Sequence, residues 1–82
     1  MTLNIKMINT TTGRDVDLGV PEETILRDVF SQLVEAELLT AGVAYSAVNK
    51  TQDMKPLAND KSMKENGVKE NDTLLITNAT PA

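Results

Sequence analysis

Two segments near the start of the chain alternate apolar with polar residues. One run covers residues 3–7, the other covers residues 16–20, and a polar segment containing Gly13 joins them. Because successive side chains of a β-strand point to opposite faces, each run presents one apolar face. The pattern predicts a β-hairpin with one buried face, formed by Leu3, Ile5, Met7, Val16, Leu18 and Val20.

The next segment has the spacing of an amphipathic helix. Apolar residues recur at intervals of three and four through residues 25–38, which places them on one stripe of a helix. The stripe consists of Ile25, Leu26, Val29, Phe30, Leu33, Val34 and Leu38. We expect it to cover the hairpin, with Thr24 as the N-cap and Gly42 as the left-handed residue after the helix.

A short strand is predicted next, at residues 45–48, followed by a polar connection over residues 49–56. Strand alternation leaves two orientations open. Either Val48 points into the core and Tyr45 outward, or Tyr45 points inward and Val48 outward. Four residues do not decide between them.

The last third of the chain combines isolated apolar positions with one apolar run. Leu57, Met63 and Val68 stand alone in a polar stretch, which we interpret as a loop anchored to the core by single side chains. No alternating strands flank the Asn-Gly pair that ends at Gly67, so we expect this glycine to end a helical turn in a left-handed conformation. Residues 73–77 are short and apolar enough for a buried central strand.

Composition restricts the chemistry that this chain can perform. Its 82 residues include no cysteine and no histidine, and the only aromatic residues are one Phe and one Tyr. The formal net charge is −4, and the acidic excess lies in residues 1–49. Because a polyanion requires a basic stripe, we expect no nucleic-acid partner. No apolar membrane span is encoded, so we expect no membrane insertion. We likewise expect no catalytic residue, no cofactor and no metal ligand.

The remaining polar candidates have ordinary explanations. Ser31 lies on the polar side of the predicted helix, without the base that a nucleophile requires. The carboxylates outside the helix lack the spacing of a hard-cation loop. We interpret them as solvated charges, namely Asp15, Asp17, Asp53, Asp60, Glu65, Glu70 and Asp72.

The order of hairpin, helix, strand, anchored loop and strand is the ββαββ layout of the β-grasp fold, and its closing segment resembles ubiquitin. Residues 57–76 can be laid on the ubiquitin sequence without a gap, although the connection before them is several residues longer. The positions that match its buried apolar residues are Leu57, Met63, Val68, Leu74 and Ile76. The resemblance implies an α+β, ubiquitin-like β-grasp fold, with a mixed sheet packed on one amphipathic helix. We expect this domain to cover residues 1–78 and a short frayed tail to cover residues 79–82.

A narrower part of the sequence is similar to the small YukD-like proteins of bacterial type VII secretion. The similarity rests on residues 47–50, the longer connection, and the segments 67–68 and 71–72. Members of that family lack a diglycine tail and act by non-covalent association. The resemblance implies a bacterial adaptor or regulator, a monomer or weak dimer, that works with a type VII-like secretion system. The N-terminal residues encode no apolar signal segment, so a cytoplasmic location is expected.

The residues after Ile76 separate two functional classes. Ubiquitin-like tags and sulfur carriers act through a flexible tail that ends in Gly-Gly, and residues 77–82 contain no glycine. The sequence therefore favours a non-conjugating protein-interaction module over the alternative, a ubiquitin-like or sulfur-carrier-type protein acting through its C-terminus.

Binding through a surface is thus the expected activity. Ubiquitin's recognition face includes an apolar hairpin tip, whereas residues 9–12 are polar here, so we expect ubiquitin receptors not to bind. The same face holds other candidates for a protein-interaction surface, which are Ile8, Tyr45, Val48, Leu75 and Thr77. A partner that adds a strand to an exposed sheet edge is the other mode of contact that we consider.

Overall fold

The computed structural model describes residues 1–78, which form one five-stranded sheet and one α-helix. The elements are β1 (Thr2–Asn9), β2 (Asp15–Pro21), α1 (Leu26–Glu35), β3 (Tyr45–Asn49), β4 (Lys55–Pro56) and β5 (Thr73–Asn78), with a 3₁₀ turn at Lys50–Gln52. The predicted frayed tail at residues 79–82 lies outside the described residues.

The strand order across the sheet is β2-β1-β5-β3-β4. β1 pairs antiparallel with β2 and parallel with β5, while β3 pairs antiparallel with both β5 and β4. The sheet is therefore mixed, and the predicted α+β, β-grasp architecture is confirmed.

β4 is the one strand that the sequence did not predict, since residues 49–56 read as a polar connection. The chain reverses there through two consecutive left-handed residues, Asp53 with φ 57° and Met54 with φ 61°. Left-handed positions in tight turns are usually signalled by Gly or Asn, and a methionine carries no such signal. The sequence pattern therefore did not predict this turn or the strand that follows it.

The start of α1 differs from the prediction, because Thr24 is not the N-cap. The cap position is Ile25, whose side chain makes no capping hydrogen bond. Instead, Leu26 N–H donates to the carbonyl of Lys61 and Arg27 N–H donates to the carbonyl of Asn59, each at 3.0 Å. A distant loop thus satisfies the free N–H groups that a local side chain normally would.

The end of α1 differs in part from the prediction. Gly42 is left-handed as predicted, with φ 80°, but the helix already stops at Glu35 and Gly42 lies in the following loop. The left-handed residue at the helix end is Glu37, with φ 63°. Its N–H donates to the carbonyl of Val34, and Leu38 N–H donates to the carbonyl of Leu33. This is a Schellman motif with glutamate at the position that glycine usually occupies.

The core lies between α1 and the inner face of the sheet. As predicted, the first hairpin, the helix and the three loop anchors all contribute to it, with Val16 and Leu18 at its partly buried margin. The buried apolar residues are Leu3, Ile5, Met7, Val20, Leu26, Val29, Phe30, Leu33, Leu39, Tyr45, Ala47, Leu57, Met63, Val68, Leu74 and Ile76.

The loop between β4 and β5 is fixed by turns of its own. Gly67 has φ 75°, which confirms the predicted left-handed position, and its N–H donates to the carbonyl of Lys64. Ser62 and Glu65 form a reciprocal capping box, in which each side chain accepts from the backbone N–H of the other at 3.0 Å. The loop is therefore ordered by local hydrogen bonds as well as by its buried anchors.

Candidate protein-interaction surface

A row of apolar side chains crosses the face of the sheet opposite α1. The strand registers place Ile8 beside Leu75, Leu75 beside Val48, and Val48 beside Pro56. Directly paired residues of neighbouring strands share a face, so these four side chains form one line. The first three are partly buried and the proline is exposed. We call Ile8, Leu75, Val48 and Pro56 the apolar row.

Tyr45 is not part of this surface, although it was a sequence candidate. It is only 9% exposed and faces the core, where its ring centroid lies 6.2 Å from that of Phe30. Its hydroxyl accepts a hydrogen bond from Thr40 N–H at 3.0 Å, so the polar end of the side chain is satisfied inside. Of the two orientations that the sequence left open, the structure therefore has Tyr45 inward and Val48 outward.

Thr77 lies on the outer face of β5, two residues beyond Leu75. It is exposed and pairs with Ser46 on β3, and the two hydroxyl oxygens are 3.1 Å apart. Thr73 lies two residues before Leu75, on the other side of the row, and pairs with Lys6 on β1. Polar side chains thus border the apolar row on both sides.

Pro56 is the member of the row that sequence reasoning missed. Its place depends on β4, and β4 depends on the turn through Asp53 and Met54. Met54 is 51% exposed next to this strand. No period-2 pattern can appear in a strand of two residues, so the sequence contained no signal for this end of the row.

Asp72 corrects the interpretation of the loop carboxylates as solvated charges. It is only 5% exposed, and its Oδ2 accepts three hydrogen bonds. The donors are Asn49 Nδ2 at 2.8 Å, Gln52 Nε2 at 2.9 Å and Lys69 N–H at 2.9 Å. We call these four residues the Asp72 cluster. It connects β3 and the 3₁₀ turn to the loop that precedes β5.

The hydrogen bonds of this cluster control the protonation of Asp72. Burial by itself would raise the pKa of the carboxyl group, but the donors from Asn49, Lys69 and Gln52 outweigh it, with a further contribution from the Lys69 charge. The pKa of Asp72 is consequently lowered. Asn49 is fully buried, and its Oδ1 has no hydrogen-bond partner.

Two exposed glutamates also make defined hydrogen bonds rather than standing free in solvent. Glu70 accepts from the N–H and from Nδ2 of Asn4 at 2.7 and 2.9 Å, which lowers the pKa of its carboxyl group. The bonds from Ser62 lower the pKa of Glu65 in the same way. These contacts are structural, since each closes a turn or joins a loop to a strand.

The described part of the chain contains no group of three or more potential ligands placed to hold a metal ion. Among residues 1–78, no helix is long and apolar enough to cross a membrane.

Solved ubiquitin-like domains share this fold. Ubiquitin of Caldiarchaeum subterraneum superposes with a TM-score of 0.75 at 16% identity, covering 100% of this chain and 99% of that one. The UBL domain of Plasmodium falciparum Dsk2 gives 0.75 at 16% identity, covering 96% and 100%. The UBL domain of yeast Ddi1 gives 0.72 at 23% identity, covering 98% and 92%. No family model matches the chain, and no curated protein sequence does. The fold is the ubiquitin-like β-grasp fold.

Proposed function

We propose that this chain is a ubiquitin-like protein-interaction module, and that it binds a protein partner non-covalently through the apolar row. The observation that carries the proposal is the register, which aligns Ile8, Leu75 and Val48 across three adjacent strands. Apolar side chains that lie in line on a rigid sheet, away from the helix, form a pre-organised contact surface.

The surroundings of the row support the same proposal. Ser46, Thr73 and Thr77 border it with polar groups. An apolar centre within a polar rim is the usual organisation of a protein interface. Three of its members, Ile8, Leu75 and Val48, lie on β1, β5 and β3, which are interior strands of the sheet. A partner would therefore meet a surface that changes little on binding.

The test compares two variants with equal added charge. Val48→Lys combined with Leu75→Lys places two cations in the row, whereas Ser31→Lys combined with Gln32→Lys places two on exposed positions of α1. Tagged proteins are purified from the organism that encodes the chain, and the bound proteins are quantified by mass spectrometry. We expect partners that bind the unchanged chain and the helix variant, and whose recovery with the row variant falls at least about tenfold, which corresponds to about 1.4 kcal/mol.

The chemical nature of the complexes separates this proposal from the carrier alternative. Non-covalent partners are released by denaturant, and the intact mass of the tagged chain stays unchanged. An ATP-dependent covalent adduct or a thiocarboxylate mass shift would instead support a carrier. Partners that are retained by the row variant but lost from the helix variant would show that the interface is elsewhere.

The assignment to the YukD-like proteins stays a prediction from the sequence, as do the type VII-like secretion context, the bacterial source and the cytoplasmic location. The similarity of residues 47–50 and of the following connection supports it. Recovery of type VII secretion components among the row-dependent partners would bear it out. A row-dependent partner set without any such component would contradict the secretion context while leaving the interaction module in place.

A further inference from the structure

β2 occupies one edge of the sheet, because it pairs with β1 alone. At seven residues it is far longer than β4 at the opposite edge, which has two. A strand at a sheet edge presents a row of main-chain donors and acceptors that another strand can pair with. Along an edge strand, alternate residues direct these groups toward the neighbouring strand and toward the open edge.

The hydrogen bonds between β1 and β2 define which residues of β2 face the open edge. Asn9 N–H donates to the carbonyl of Arg14, so this pair is hydrogen-bonded between β1 and β2. In an antiparallel pair the bonded positions alternate, which directs the main chain of Val16, Leu18 and Val20 toward β1. The N–H and C=O groups of the intervening residues Asp15, Asp17 and Gly19 therefore point to the open edge.

A hollow lies next to this edge on the outer face of the sheet. Its volume is about 480 Å³, and its lining includes Asn4, Lys6, Asp17, Gly19 and Thr73. Gly19 contributes no side chain to this lining, and the side chains of Thr2 and Asn4 flank the position that a Cβ atom would take, at 3.3 and 3.4 Å. The hollow beside the glycine therefore supplies the space for a large side chain of a neighbouring strand.

The charges at the edge define the chemistry of that strand. The side chains of Asp15 and Asp17 project on the same face as the hollow and are exposed. Within residues 1–78, neither carboxylate lies within 4.0 Å of a cationic nitrogen, although Lys6 is the register partner of Asp17 on β1. Opposite charges on directly paired strand residues attract, so two basic residues on an added strand would complement this edge.

We propose that the β2 edge binds an extended, basic segment of a protein partner as an added antiparallel strand. In this arrangement two lysine or arginine side chains lie opposite Asp15 and Asp17, and an aromatic side chain lies opposite Gly19, over the hollow. An aromatic residue paired with an edge glycine covers the backbone that the glycine leaves exposed. Main-chain hydrogen bonds supply affinity, and the alternate side chains supply specificity.

This inference does not depend on the apolar row. The edge runs along β2, whereas Val48 and Leu75 lie on β3 and β5. The row variant Val48→Lys with Leu75→Lys therefore serves as a control, and its binding at the β2 edge is expected to be unchanged. Failure of either proposal leaves the other intact.

The probe is a capped synthetic peptide, Thr-Trp-Thr-Lys-Val-Lys-Thr, whose order places Trp opposite Gly19 and the two lysines opposite Asp17 and Asp15. Binding is followed by ¹⁵N NMR and amide hydrogen exchange of the chain. We expect chemical-shift changes along β2 and slower exchange of the N–H groups of Asp15, Asp17 and Gly19. A scrambled peptide of the same composition is expected to bind several-fold more weakly.

Two protein variants test the side-chain contacts. Asp15→Asn combined with Asp17→Asn removes both charge pairs and is expected to weaken binding about fivefold. Gly19→Thr places a branched side chain at the margin of the hollow, where the Trp side chain is expected to lie. It should therefore weaken binding of the Trp peptide more than binding of a peptide with Ala in place of Trp. Circular dichroism and the NMR spectrum of the free variants check that the fold is kept.

Slower exchange at the outward N–H groups, together with the predicted order of affinities, supports the proposal. If exchange at Asp15, Asp17 and Gly19 is unchanged, or if the scrambled peptide binds equally well, the proposal is wrong. The two aspartates would then act as charges that prevent edge-to-edge association.

Discussion

Replacing Asp72 with alanine is expected to lower the free energy of unfolding by about 3–5 kcal/mol. The substitution removes the one oxygen atom that accepts from Asn49, Gln52 and Lys69. The Asn49 side chain is fully buried and its Oδ1 is already unpaired, so the substitution would also remove the acceptor of its Nδ2. An 82-residue domain is stable by only about 4–12 kcal/mol, so this loss is a large fraction of the total.

Urea denaturation of Asp72→Ala and Asp72→Asn measures this effect. The asparagine keeps a neutral acceptor in the same place, and we expect it to cost about 1–2 kcal/mol, since hydrogen bonds to an uncharged acceptor are weaker. A cost below about 1 kcal/mol for the alanine variant would show that the three donors find other partners, and the prediction would be wrong.

The same cluster makes stability depend on pH in a defined direction. Because the pKa of Asp72 is lower in the folded state than its ordinary value of 3.8, its contribution is fully present above that value. It is lost as the pH falls from there through the lowered folded pKa. The difference in unfolding free energy between the unchanged chain and Asp72→Asn should therefore shrink on acidification below about pH 4. If this difference in unfolding free energy did not change with pH, Asp72 would not be an ionised, hydrogen-bonded carboxylate in the folded state.

Replacing Leu74 with alanine is expected to destabilise the domain by about 2–5 kcal/mol. Leu74 is completely buried in β5, the strand between β1 and β3, and it pairs with Met7 and Asn49. The truncation creates a cavity that surrounding strands cannot close, because both neighbours are hydrogen-bonded to β5. Thermal and chemical denaturation measure the loss.

Leu75→Ala is the matched control, since it removes the same atoms from the next residue of the same strand. Leu75 points to the outer face and is partly exposed, so we expect a loss below about 1.5 kcal/mol. Equal losses for the two leucines would contradict the orientation of β5. A small loss at Leu75 also means that Leu75→Lys can test the apolar row in a folded chain.

Much of the fold follows from short-range patterns. The alternation of Leu3, Ile5 and Met7 predicted one buried strand face, because strand geometry repeats every two residues. The helical spacing predicted a stripe from Ile25 to Leu38, and its part from Leu26 to Leu33 forms the buried face of α1. The left-handed position of Gly67 followed from the absence of flanking strands. These features depend on local geometry alone, which is why a single sequence is sufficient for them.

Other features depend on groups that are distant in the chain. The N-terminus of α1 is satisfied by the carbonyls of Asn59 and Lys61, so Thr24 is not needed as a cap. β4 exists only because the turn through Met54 returns the chain to β3. The loop carbonyls produce no sequence signal at the start of α1, and this turn produces none at β4.

By itself, the sequence determined the β-grasp architecture and the residues of the hairpin and helix that form the core, in a chain without cysteine or histidine. Only the tertiary structure decided which of Tyr45 and Val48 faces the core, that Leu75 lies in line with Ile8, and that Asp72 is buried. The physical reason is that periodicity defines the two faces of a strand, whereas packing against α1 and pairing with neighbouring strands decide which face becomes a surface.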